Sequence, residues 1–525
     1  MVTTSYALMV DWSGDGDFGD TGEVITDRVL SVECERGKDY PSQLTGRSIA
    51  GKLVAVLNNE SGDYSPFKTD GDLYGNLLPG RLVQLRVAHG TTFAYTFPFI
   101  FSDTPIWTGY VETINPEVTV GNVKVAKLTA IGSLGLIAQR ETKISLQEDK
   151  RPDEIVTTVL TDTGFASGDI DAEEGKTTIT KFFSASGNAL SVLRQVEDTE
   201  SGFIYEKTDG GIKFEDRYFR MRDAKSTTSQ LTFSDASDTT YSYESIWQED
   251  PLPSIFNTFE ATVVTYTTAS IATLWTLGET GSSSPAIEVG GVNVYHAKFP
   301  PETEGILASE IAGQVVVNEW TTPVAGTDYT VNAAADGSGT NLTSSVAVSV
   351  TKTSNQMKIQ LTNNSGTAGF ITLLKARGTT LTTSDPTLMI AEDAASQTSF
   401  LKRTYTSQAK WIPTSAEAQN WVNYNLSIFK DPMPRLTISF TAGKSTSTLD
   451  AALYLDISHK VTVTATGNNT KLGINEDFYV ENVRHQITEG NTLHRTILQL
   501  SPATATGGFW SLGNSYLGTE TKLLY

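Results

Sequence analysis

Residues 188–218 read NALSVLRQVEDTESGFIYEKTDGGIKFEDRY and divide into a helix and a hairpin. Apolar residues recur at helical spacing in the first half, at Ala189, Val192, Leu193 and Val196. This spacing predicts an amphipathic helix, which ends at Ser201-Gly202. The Asp-Gly-Gly sequence at 209–211 supplies the positive backbone angles of a tight turn between two short strands. The stretch therefore predicts a helix packed on a β-hairpin.

Size and composition set the fold class. The 525 residues are enough for roughly three to five domains, and 39% of them are hydrophobic, which suffices for packed cores. Thr, Ser and Gly are abundant, and β-branched residues alternate with polar ones over long stretches, a pattern typical of β-sheet. We predict a mainly β, multidomain chain with α+β insertions.

The chain is strongly acidic. It has 60 acidic and 39 basic residues, for a net charge of −21. A surface that follows nucleic-acid phosphates needs clustered Lys and Arg, so this composition argues against nucleic-acid binding as the main function. DNA that passes such a protein is expected to slide along it without specific binding.

The single cysteine, Cys34, rules out an intrachain disulfide, and we expect it to be a small core residue. Stability from packing or oligomerisation suits assembly in a reducing cytoplasm. The N-terminus lacks the basic region of a secretion signal, and the most apolar run is far shorter than a membrane span. We expect a protein that is soluble and not embedded in a membrane.

An acidic loop follows the first predicted strand. Oxygen-bearing side chains recur in it at Asp11, Ser13, Asp15, Asp17, Asp20 and Glu23. With Gly16 in sixth place, the loop resembles the calcium pattern D-x-[DN]-x-[DN]-G, which points alternate oxygens at one hard cation. Two departures are the serine in third place and the final acid, which comes one residue late. The alternatives are a calcium site and a solvated acidic hairpin loop.

Three segments resemble one family. The helix and hairpin of residues 188–218 are similar to those of hub proteins in phage tails and related injection machines, where a helix ending near a Gly-Phe pair leads into an Asp-Gly hairpin. The order of segments at 44–59, 63–66, 78–81 and 108–110 resembles the N-terminal domain of phage minor tail proteins. Residues 477–502 resemble the closing hairpin of hub domains.

That resemblance implies a structural virion protein, the trimeric hub of a tail tip or baseplate. Two barrel-like domains in each of three copies present six similar faces, which join a trimeric tip to a hexameric tail tube and line the DNA channel. The implied partners are further copies of the chain, distal tail or tail tube proteins, tail-tip or fibre proteins and the tape measure protein. The implied location is the virion tail, after assembly in the host cytoplasm.

The predicted domains follow composition and pattern. Residues 1–145 form a barrel-like β domain, 146–240 an α+β helix–hairpin domain, and 241–434 a β-rich middle domain with helices. Residues 435–503 form a second barrel-like β domain, and 504–525 a docking tail. Within the middle domain we predict a helical segment near residues 305–319, and a helix at 414–430 whose Trp421 anchors a core.

No catalytic or cofactor-binding residue is assigned. The chain lacks zinc-protease, nucleophile-elbow, P-loop and dinucleotide motifs, so we do not expect an enzyme. Glu215 and Asp216 are neighbours on a predicted strand and point to opposite faces, so we interpret Glu215-Asp216-Arg217 as a surface charge cluster. Two alternatives to the hub are a receptor- or glycan-binding tail protein that uses the middle domain and a tail-associated cell-wall hydrolase.

Overall fold

The computed structural model describes residues 4–38, 47–89, 105–118, 121, 123–236, 239–249, 252–277, 284–299, 314–353, 355–407, 409–467, 470–488 and 493–503. The predicted docking tail at 504–525 lies outside these residues. The mainly β prediction with α+β insertions is confirmed by the several sheets described below.

The described residues of the N-terminal region form six strands: β1 Thr4–Val10, β2 Val29–Lys38, β3 Ser48–Asn58, β4 Leu82–His89, β5 Pro105–Val118 and β6 Lys124–Ile131. The α+β region adds seven strands: β7 Glu141–Lys150, β8 Ile170–Ala172, β9 Ile179–Asn188, β10 Phe203–Glu206, β11 Ile212–Glu215, β12 Thr232–Ser234 and β13 Ser245–Glu249. Its helices are Ser133–Ile137, Pro152–Asp162, Ala189–Glu200, Phe219–Arg222 and Ala224–Thr227.

Where the structure describes it, the middle region has twelve strands: β14 Thr258–Val263, β15 Tyr266–Thr268, β16 Ala272–Thr276, β17 Ala286–Ile287, β18 Val292–Lys298, β19 Gln314–Trp320, β20 Tyr329–Asn332, β21 Val346–Lys352, β22 Gln356–Asn363, β23 Gly369–Thr383, β24 Thr387–Glu392 and β25 Thr404–Thr406. Its helices are Ala394–Phe400 and Ser415–Phe429. The C-terminal region contains β26 Arg435–Thr441, helix Thr446–Tyr454, β27 Lys460–Ala465, β28 Ile474–Thr488 and β29 Leu493–Pro502.

In the described part of the chain, one twelve-stranded sheet contains strands of both the N-terminal and the C-terminal regions. Its strands run in the order β1-β4-β5-β6-β3-β2-β28-β29-β26-β13. In addition, β27 pairs with β28, and β12 pairs with β27. β2 and β28 pair antiparallel from Val32 opposite Ile487 to Gly37 opposite Asn482. One hydrophobic core contains buried residues from both regions, among them Leu53 and Leu498. The regions expected as two barrel-like domains thus share a sheet and a core in the described part of the chain.

The helix and hairpin of 188–218 form as predicted. Asn188 caps the Ala189–Glu200 helix by accepting a hydrogen bond from the backbone N–H of Ser191, and Ser201 ends it in the left-handed region. β10 and β11 pair antiparallel across a turn in which Gly210 has a φ of +88°. Glycine tolerates this angle without the steric cost that a Cβ brings.

The middle region is inserted between two paired strands, β14 and β24. Between them, β23 pairs with β15, β16, β17, β19 and β20, and β22 joins β18 and β21 in a second sheet. The predicted helix near residues 305–319 is wrong where it can be compared, because residues 314–319 lie in β19; residues 305–313 fall outside the described residues. The β-branched run Val315-Val316-Val317 fits a pleated sheet better than a helix.

Candidate functional site: the acidic loop and the buried junction

The acidic loop is held by two buried carboxylates. Asp11 Oδ1 accepts a hydrogen bond from the backbone N–H of Gly14 at 2.5 Å, and Oδ2 accepts one from Gly16 at 3.0 Å. Glu23 accepts hydrogen bonds from the backbone N–H groups of Ser13 and Asp20, at 3.1 and 3.0 Å. Both carboxylates therefore organise the backbone of their own loop.

The remaining predicted calcium ligands, Ser13, Asp15, Asp17 and Asp20, are exposed. Within the described ranges, no three His, Cys, Asp or Glu residues form a group that could hold a metal ion. Calcium binding at Asp11, Ser13, Asp15, Asp17, Asp20 and Glu23 stays a prediction, which calorimetric titration tests. Heat and a raised melting temperature on adding CaCl2 would support it, and their absence would remove it.

A second polar cluster, which we call the junction, surrounds the β10–β11 hairpin. All four residues of each hairpin strand are buried. Glu206 accepts hydrogen bonds from the backbone N–H groups of Gly51, at 2.8 Å, and Leu134, at 2.6 Å. A Cβ on Gly51 or Gly132 would lie within 2.3 Å of the Glu206 carboxylate, so the two glycines make room for it. The hairpin is thereby attached to the N-terminal sheet.

The same hairpin is attached to the C-terminal region. Glu215 accepts hydrogen bonds from the hydroxyl groups of Tyr205, at 2.8 Å, and Ser458, at 2.7 Å. Arg220 donates from Nε to the Ser458 hydroxyl at 3.1 Å and pairs with Glu481 of β28. Ser458 itself adopts a φ of +67°, an uncommon angle for a residue with a Cβ.

Two more ion pairs link β2 to the C-terminal region. Lys38 Nζ lies 3.0 Å from Glu481, and Arg36 Nη1 lies 2.6 Å from Asp456. Glu481 thus receives two cations from different segments, one on β2 and one just after the hairpin. Arg36 and Glu481 are buried, and buried charges are stable only when paired and hydrogen-bonded, so the junction restricts how the three regions can be arranged.

The prediction that Glu215-Asp216-Arg217 is a surface cluster is wrong. All three residues are buried, and each has a polar partner inside the protein. Arg217 Nε lies 3.1 Å from Glu200, which is fully buried, and its Nη1 lies 3.3 Å from Glu417 of the Ser415–Phe429 helix. Glu215 is the last residue of β11 and Asp216 follows the strand; Glu215 is hydrogen-bonded to Tyr205 and Ser458, and Asp216 to Arg222.

The pKa values of the junction carboxyls are shifted in opposite directions, depending on the partners of each carboxyl. Burial raises the pKa of Glu206 and that of Glu215 to about 7. Burial also acts on Glu481, but Arg220 and Lys38 outweigh it and hold its pKa below the usual range. Glu481 and Arg220 therefore stay charged over a wide pH range, whereas Glu215 changes charge near neutrality.

His485 and His494 lie on the paired strands β28 and β29, as predicted, and both are buried. His485 Nδ1 and His494 Nε2 are 2.9 Å apart. Burial lowers the pKa of His494 to about 4 and that of His485 well below its usual value, so the pair is neutral at pH 7. Trp421 and Cys34 are also buried, which confirms their predicted core positions.

The junction is not evident from the sequence, because its members are far apart in the chain and each is of a residue type that is common on protein surfaces. One local signal was present. Strands β10 and β11 are only four residues long and combine aromatic with charged residues around a tight turn. The charged side chains of such short strands have little access to solvent. Periodicity alone assigns half of such a strand to solvent.

The architecture has neighbours among solved structures. A tail protein from Neisseria meningitidis MC58 aligns over 95% of this chain and 98% of its own, with 9% identity and a TM-score of 0.49. A 43 kDa tail protein of prophage MuSo2 from Shewanella oneidensis aligns over 95% and 99%, with 8% identity and a TM-score of 0.46. A component of the type VI secretion system of E. coli aligns over 97% and 78%, with 7% identity and a TM-score of 0.35.

These neighbours are of the class that the sequence resemblance names, phage tail proteins and related secretion components. No family model matches the chain, and no curated protein matches it. No helix among the described residues has the length and hydropathy to cross a membrane.

Proposed function

We propose that this chain is a structural tail protein that acts as the homotrimeric hub of a phage tail tip or baseplate. In this role it joins the tail tube to the tip and lines the channel through which DNA leaves. Its partners are further copies of the chain, tail tube or distal tail proteins, tail-tip or fibre proteins and the tape measure protein. It works in the virion tail after assembly in the host cytoplasm, without catalysis.

The pairing of β2 with β28 is the observation that carries this proposal. It aligns the N-terminal and C-terminal β regions side by side in one sheet. A hub that meets a six-fold tube with three subunits needs two similar faces in each subunit, held at a constant angle. The ladder and the ion pairs of Arg36 and Lys38 across it supply such a constraint.

The end of the sheet supports association with further copies. β13 is the last strand of the order, and among the described strands it pairs only with β26. Trp247 on this strand is 60% exposed. An open strand edge with an exposed aromatic residue is a template for pairing with another chain, and closing a ring of copies removes it.

The net charge of −21 supports a channel lining. DNA moving through a pore must not be retained by its wall, and an acidic or neutral surface repels the phosphate backbone.

The experiment exploits the inserted middle region. Thr265 and Ser384 lie side by side, since the backbone N–H of Ser384 donates to the Thr265 carbonyl at 2.9 Å. Residues 267–382 can therefore be replaced by a short Gly-Ser linker in the virus or particle that carries this chain. Intact tails that no longer adsorb to the host would favour the receptor- or glycan-binding alternative. Intact tails that adsorb normally would assign the hub role to the remaining sheet. Particles whose tail tip still assembles without any of this chain would contradict the hub proposal.

A further inference from the structure

A cavity of about 600 Å³ lies at the base of the middle region, where it meets the α+β region. Five of its lining residues have apolar or aromatic side chains: Phe183, Val264, Tyr266, Val315 and Pro386. Its polar lining residues are Thr262, Thr383, Ser384, Asp385 and Lys410. A volume of this order is typical of sites for small ligands, and apolar walls with a few polar groups are their usual composition.

The aromatic residues that line this cavity pack against each other and against a buried tryptophan. Phe183 meets Tyr266 edge to face, with ring centroids 5.6 Å apart. Trp411 stacks on Tyr266 at 6.3 Å and meets Phe183 at 5.3 Å, while only 3% of its own surface is exposed. Rings that support each other in this way keep their orientation, so the wall is formed before any ligand arrives.

Lys410 is the cation of the cavity, and it has no carboxylate partner among the described residues. Its Nζ lies 4.5 Å from the centroid of the Trp411 ring and 5.5 Å from that of Phe183. Desolvation lowers the pKa of Lys410 from its usual value. By contrast, Lys430 and Lys402, on the same region of the chain, pair with Asp393 and Glu392. Lys410 is exposed, so its ammonium, which lies beside aromatic rings and forms no ion pair with a described residue, is accessible to an anion from outside.

The cavity lining also includes hydroxyl groups and one carboxylate. Thr262 and Thr383 bring side-chain hydroxyls, and Asp385 brings an acceptor for ligand hydroxyl groups. One site therefore combines an apolar wall with two aromatic rings, a cation and several hydrogen-bonding oxygens.

We propose that this cavity binds a single acidic sugar unit, a pyranose ring that carries a carboxylate, as found in charged surface polysaccharides. The carboxylate pairs with Lys410, the C–H face of the ring lies on Tyr266 and Phe183, and ring hydroxyls donate to Asp385. A neutral sugar leaves the ammonium unpaired, and a purely apolar ligand leaves Asp385 and the threonines unpaired, so both fit less well. This site goes beyond the structural role, and neither proposal depends on the other.

The full-length protein is titrated with D-glucuronic acid and, as the neutral counterpart, D-glucose, and binding is followed by saturation-transfer NMR and calorimetry. Lys410→Met keeps the aliphatic stem that packs on the rings and removes the charge. Its matched control is Lys402→Met, which removes an exposed ammonium elsewhere in the region. Val315→Trp fills the cavity from its rim, where Val315 is 40% exposed, and Val324→Trp places the same bulk at a 49% exposed valine outside the lining.

We expect glucuronic acid to bind and glucose to bind about tenfold more weakly or not at all. Lys410→Met and Val315→Trp should each weaken glucuronic acid binding about tenfold or more, while Lys402→Met and Val324→Trp leave it unchanged. Equal binding of both sugars, equal effects of test and control variants, or no binding of glucuronic acid to the folded wild-type protein would each overturn the proposal. The thermal melting curve of every variant shows whether it is folded.

Discussion

Arg220 donates two hydrogen bonds to Glu481, at 2.6 and 2.9 Å, although the two residues are 261 positions apart in the chain. Arg220 follows the hairpin and Glu481 lies on β28, the strand that joins the two β regions. The pair therefore connects the segment that follows the β10–β11 hairpin to the strand pairing on which the proposed hub depends.

Arg220→Met should destabilise the protein by about 3–5 kcal/mol, because it leaves the buried Glu481 carboxylate with one cation fewer. Urea unfolding followed by tryptophan fluorescence measures the change. The control is Lys402→Met, which breaks an exposed pair with Glu392 and should cost less than about 1 kcal/mol. Equal losses in the two variants would show that the junction is no more important than a surface ion pair.

Gly37→Ala should weaken the pairing of β2 with β28. Gly37 has a φ of +122°, and a Cβ there would lie 2.3 Å from the Glu481 carbonyl oxygen. We expect a loss of about 2 kcal/mol or more in unfolding free energy. Gly75→Ala is the control, because Gly75 has a φ of +83° with no atom within 4 Å of the added Cβ. A loss for Gly37→Ala no larger than for Gly75→Ala would contradict the close approach of the two strands.

Glu215→Gln should change how stability depends on pH. The pKa of Glu215 is about 7 in the folded protein, against 4.5 ordinarily, so the folded state binds the proton more tightly. The resulting stabilisation is complete below pH 4.5 and is lost as the pH rises to about 7. Glutamine does not titrate, and its hydroxyl partners Tyr205 and Ser458 can accept as well as donate.

The stability of Glu215→Gln relative to wild type should therefore rise by up to about 3 kcal/mol between about pH 5 and pH 8. Urea unfolding at the two pH values gives the difference. A relative stability that is the same at both would mean that Glu215 titrates as an ordinary exposed carboxyl.

Trp247→Lys should weaken association between copies of the chain without unfolding it. Trp247 is 60% exposed on the end strand of the sheet, so the change should cost the isolated chain less than about 0.5 kcal/mol. If another copy covers β13, a lysine in the contact should dissociate the oligomer, as seen by sedimentation velocity. Ile271→Lys, at a 52% exposed position away from this strand, is the control and should leave the oligomer intact.

Local pattern predicted the local structure. The spacing of Ala189, Val192 and Val196 and the turn at Gly210 are contained in about thirty residues, and the helix and hairpin formed there. The pairing of Val32 with Ile487 is not a local property, because each strand alternates in a way that many partners would satisfy. The burial of Glu215 likewise depends on Ser458, which the sequence does not associate with it.

The mass of the purified chain at micromolar concentration tests the hub most directly. Mass photometry or sedimentation equilibrium should give a particle of three times 56.8 kDa, and micrographs should show a ring around a central channel. A stable particle of 56.8 kDa with no ring in micrographs would contradict the trimeric hub.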